Sequence, residues 1–66
     1  MSQELSKALV NVEKAIEKHI ENIENLIERL NKESDELWEN GQYEKVVEVE
    51  EQIERLQDQL ARLYNC

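Results

Sequence analysis

The sequence predicts an all-α fold: a two-helix antiparallel hairpin with a long first helix, assembling into a homodimeric four-helix bundle. Three observations carry this. The chain has no proline and only one glycine, Gly41. On both sides of that glycine, apolar residues recur at alternating spacings of three and four, the rhythm of a coiled-coil seam. On the first side, the rhythm continues well beyond the point where the second side runs out.

The break at Asn40-Gly41 places the helices. Gly and Asn tolerate the positive φ of a helix C-terminus, so one such site in an otherwise helix-compatible chain means two helices. The first is expected from about Ser2, a plausible N-cap, to about Glu39, and the turn at 40–41. The second follows from about Gln42 to Tyr64, and residues 1–66 form a single domain. At 1.5 Å per residue the first helix is roughly 57 Å long and the second roughly 35 Å. They cannot match end to end.

In the second helix Val46, Val49, Ile53, Leu56, Leu60 and Leu63 form one narrow stripe. Ile20, Ile23, Ile27, Leu30, Ser34 and Leu37 of the first helix repeat its spacing in reverse. Folding about the turn opposes Leu37 to Val46, Ser34 to Val49, Leu30 to Ile53, Ile27 to Leu56, Ile23 to Leu60 and Ile20 to Leu63. One register satisfies every pair. Glu51/Arg55 and Asp58/Arg62 stand four apart with the acid first, the favourable order for surface ion pairs.

That register ends near His19 and Tyr64. A second stripe of Leu5, Leu9, Val12, Ile16, His19, Ile23 and Leu26, whose spacing runs on to Leu30, continues to the N-terminus, flanked by Ala8 and Ala15. These residues are the expected oligomer interface, because the upper ones have no partner within the chain. A chain this short rarely stabilises a fold on its own core, and one cysteine with no Cys/His cluster supplies neither an internal disulfide nor a zinc staple. The partner of first choice is a second copy of the chain.

Composition narrows the function classes. Sixteen Asp/Glu against eight Lys/Arg give a formal charge of −8, which repels phosphate backbones and argues against direct nucleic-acid or anionic-membrane binding. No apolar run approaches a membrane span, and the start lacks the basic-then-apolar order of a secretory signal. A lone thiol and no sign of export predict the cytoplasm.

No catalytic, cofactor or metal residues are expected. His19 is the only histidine and sits at a core-like position without the Glu three residues earlier that carboxylate-bridged metal bundles use. Glu13, Glu17, Glu21, Glu24 and Glu28 fall on an outward flank, as a solvated face. No nucleophile–base grouping or glycine-rich phosphate loop can be assembled from the rest. Cys66 reads as an inert terminal thiol. Trp38 and Tyr43 flank the turn, either packing over the end of the hairpin or serving as an aromatic anchor for another protein.

Two short resemblances bear on this. The stretch from Leu37 to Val47, with Gly41, the aromatic Tyr43 and the Val46-Val47 pair, resembles the inter-helix turn of tetratricopeptide repeats. Val46 stands where those repeats usually have alanine and no second copy follows, so the likeness implies a shared turn solution. Residues 23–64 resemble the hairpins that dephosphorylate response-regulator aspartates in sporulation control. Glu50-Glu51-Gln52-Ile53-Glu54 stands where those hairpins carry Ser-Gln-Glu-Leu-Asp. That resemblance implies an alternative, a phosphatase-like regulator acting through Gln52 and Glu54. A further alternative is an acidic nucleic-acid mimic that occupies a basic binding surface. The expected function is a non-enzymatic interaction module, a small acidic adaptor or regulator.

Overall fold

With no proline and no glycine before Gly41, nothing in the first part of the chain interrupts the helical hydrogen-bond ladder. The computed structural model of the protein describes the backbone of residues 2–65 and the side chains of residues 6–65. Helix α1 spans Ser2–Glu39 and helix α2 spans Tyr43–Tyr64, and the two pack against each other as a hairpin. The hairpin measures 60 × 16 × 10 Å. Its radius of gyration is 17.0 Å, against about 11 Å for a compact domain of this length. The molecule is a rod whose long dimension is set by α1.

The turn is a Schellman motif built on the one glycine. Gly41 has φ 75°. Its N–H donates to the Trp38 carbonyl at 3.1 Å, and the Gln42 N–H reaches back to the Leu37 carbonyl at 2.9 Å. These two bonds satisfy carbonyls that the end of α1 would otherwise leave unpaired. The second of them also holds Gln42 at φ −89°, ψ 67°, outside helical geometry. Helix α2 therefore begins one residue later than expected, with Gln42 as its N-cap. The Gln42 carbonyl accepts the first bond of α2, from the Val46 N–H at 3.2 Å.

The core is the seam between the helices. Ile23, Val46, Val49 and Ile53 are buried, as is Ser34. Ile20, Ile27, Leu30, Leu37, Leu56, Leu60 and Leu63 are half-buried. These are the positions of the two stripes, and every other described side chain is exposed. Ser34 interrupts the apolar run, yet no buried side-chain nitrogen or oxygen among the described residues lacks a hydrogen-bond partner.

The surface ion pairs differ from expectation. Among the described residues the ion pair is Glu28–Lys32, at 3.9 Å and four apart; Glu51/Arg55 and Asp58/Arg62 do not close. Exposed pairs gain so little that side-chain entropy decides which of them form. No helix is long and apolar enough to cross a membrane among the described residues.

Two substitutions test this description. A Cβ at Gly41 would meet nothing within 4 Å, so Gly41→Ala carries only the left-handed backbone penalty. It should cost about 1 kcal/mol in urea unfolding without changing the helical content. No loss of stability would contradict the Schellman geometry. Ile53→Asp places a charge in the middle of the seam and should abolish the cooperative transition followed by circular dichroism.

Candidate functional site

Because α2 has 22 residues and α1 has 38, the seam cannot cover the N-terminal part of α1. Leu9 is 63% exposed, Val12 56% and Ile16 38%. The side chain of Leu5, expected at the head of the same stripe, lies outside the described residues, as does Cys66. Leu26 is 37% exposed and His19 is exposed, so the stripe continues along the flank of the hairpin. Ile23 belongs to both stripes, and at 5% exposure the hairpin has already taken it. The free part of the expected interface is thus Leu9, Val12, Ile16, His19 and Leu26.

A second feature lies beside the turn. Trp38 and Tyr43 contact each other edge to face, with ring centroids 4.9 Å apart and planes at 69°. They sit on the α1 side and the α2 side of the Schellman motif, where the aromatic contact stands in for the apolar one that usually accompanies this cap. Neither ring is sheltered: Trp38 is 61% and Tyr43 56% exposed. Packing over the end of the hairpin and presenting an aromatic surface are here one arrangement.

Trp38 also forms a wall of an open groove of about 860 Å³ running along the seam. Asp35 from α1 and Glu50, Glu51 and Glu54 from α2 line it, together with Val47, which is 58% exposed. No lysine or arginine lines it. Sequence patterning passed over Val47, which falls one position outside the α2 stripe. The signal was available in the branched pair Val46-Val47, of which a narrow seam can bury only one.

The remaining chemistry-bearing residues do not converge. Glu13, Glu17, Glu21, Glu24 and Glu28 are exposed along α1, and no group of three or more His, Cys, Asp or Glu among the described residues is placed to hold a metal ion. Gln52 and Glu54 are both exposed on α2, and of the two only Glu54 borders the groove.

No family model matches the chain, and no curated protein or solved structure shows significant similarity to it.

The aromatic contact is open to measurement. A double-mutant cycle on Trp38→Ala and Tyr43→Ala should return a coupling of about 0.5 kcal/mol, the lower end for an aromatic pair because both rings remain in water. Additive effects would mean that the pair contributes nothing to the turn.

Proposed function

We propose that the chain is a non-enzymatic protein–protein interaction module, a small acidic adaptor or regulator that works in the cytoplasm as a homodimeric helical bundle. The supporting observation is the apolar stripe of Leu9, Val12 and Ile16, exposed to 63%, 56% and 38% on a helix already committed to the hairpin by its other half. An amphipathic helix with an unpaired apolar face is stable in water only when another surface covers it. A second copy carries the same face and is always present at the same concentration.

The acidic groove beside Trp38 then faces outward as the contact for a different protein. A Trp ring among carboxylates suits a cationic partner, since an arginine can stack on the indole while pairing with Glu50 or Glu54.

The test is Leu9→Glu, which puts a charge into the proposed subunit contact without touching the hairpin seam. Sedimentation should show the parent chain as a dimer at micromolar concentration and the variant as a monomer of reduced helicity. Trp38→Ala should leave the dimer intact. Parent and variant both sedimenting as folded monomers would overturn the proposal.

A further inference from the structure

On the reading that the chain self-associates, its geometry also sets the sense and register of the pairing. We propose that two copies meet antiparallel about a two-fold axis near Glu17 and Lys18. Each N-terminal overhang then lies along the other copy's hairpin as its third helix.

The first support is the stripe's own symmetry. Run antiparallel against itself, it opposes Leu9 to Leu26, Val12 to Ile23 and Ile16 to His19, and position 5 to Leu30. Every member finds another member. Sliding by one heptad loses this: in one direction Leu9 meets Glu33, and in the other Leu26 and Leu30 are left without partners. Val12 gains little from Ile23, which is 5% exposed; its neighbours across the contact are the exposed His19 and Leu26.

The second support is angular. At about 100° per residue, over residues 19–30 the hairpin seam (Ile20, Ile23, Ile27, Leu30) and the second stripe (His19, Ile23, Leu26, Leu30) are centred about 50° apart around the α1 axis. That is close to the roughly 60° at each corner of three mutually packed helices, and far from the roughly 90° of a square four-helix section. The overhang therefore touches α1 and α2 of the other copy together. Four helices assemble with no more than three in any cross-section.

Charge supplies the third. Residues 2–18 carry Glu4, Glu13 and Glu17 against Lys7, Lys14 and Lys18, so the whole formal charge of −8 resides in the hairpin. An antiparallel pair sets each neutral, lysine-bearing overhang beside an acidic hairpin. A parallel pair would set the two acidic hairpins side by side, within the screening length of about 8 Å. The contact lies on the flank away from the acidic groove, so this charge term acts through the hairpin as a whole. The groove places Asp35, Glu50, Glu51 and Glu54 on one side of the seam. By helical spacing, the opposite side of α2 carries Lys45, Gln52 and Gln59.

Site-directed cross-linking in a Cys66→Ser background tests the arrangement. Under mild oxidation Leu9→Cys combined with Leu26→Cys should run as a covalent dimer, whereas Leu9→Cys alone should not, its two thiols being roughly 26 Å apart. A spin label on Ser6→Cys, an exposed position outside the stripe, should report an interchain distance of roughly 35 Å. Cross-linking of Leu9→Cys alone, or a spin–spin distance below roughly 20 Å, the spacing of paired helices plus their labels, would overturn the antiparallel register and leave self-association standing. A sedimenting dimer in which the double variant fails to cross-link would do the same. A monomer in sedimentation with no spin–spin coupling would overturn both.

Discussion

Everything in this molecule depends on one strip of side-chain packing, the interdigitation of α1 and α2 along the seam from Leu37 and Val46 to Ile20 and Leu63. It is a core with one layer. None of the described side chains is fully enclosed, and the best covered, Ile23 at 5%, Ser34 at 6% and Val46, Val49 and Ile53 at 7%, cluster where both helices run together. Two helices cannot surround anything, so each seam residue keeps one edge toward water. The hairpin has no reserve of buried area from which to absorb a charged or truncated side chain.

A seam that repeats every seven residues does not fix its own register, because a slip of one heptad again sets apolar on apolar. The turn removes that freedom. The bonds from Gly41 to Trp38 and from Gln42 to Leu37 define where the chain reverses, and the first seam pair, Leu37 with Val46, follows within a single turn of helix. The electrostatics at this end are mixed. The last turn of α1 has no basic residue to oppose its dipole, while α2 carries Glu44 in its first turn and Arg62 in its last, both of favourable sign. Geometry sets the reversal, and charge does not.

The fold was largely legible because its signals are periodic and redundant. Six apolar or small positions on each side of a single glycine admit one folding about the turn, and the shielded residues are those positions. What escaped was decided by single events. Gln42 fell out of α2 because a backbone bond to Leu37 holds it, which no propensity scale encodes. Glu28–Lys32 closed in place of Glu51/Arg55 and Asp58/Arg62 because such pairs are nearly degenerate. Of the candidate surface, the stripe was visible as uncovered rhythm. The groove was not, since Val47 and Trp38 each lie one position off a stripe, on different helices, and line one groove only once the helices are joined.

The inequality between a helix of 38 residues and one of 22 has a further consequence. Equal helices would leave no bare strip, and strips at both ends would let molecules add without limit into a fibre. On the proposed pairing, a single adhesive end would be spent in one encounter with its own kind. Association of that kind would terminate itself, however much apolar surface one extremity carries.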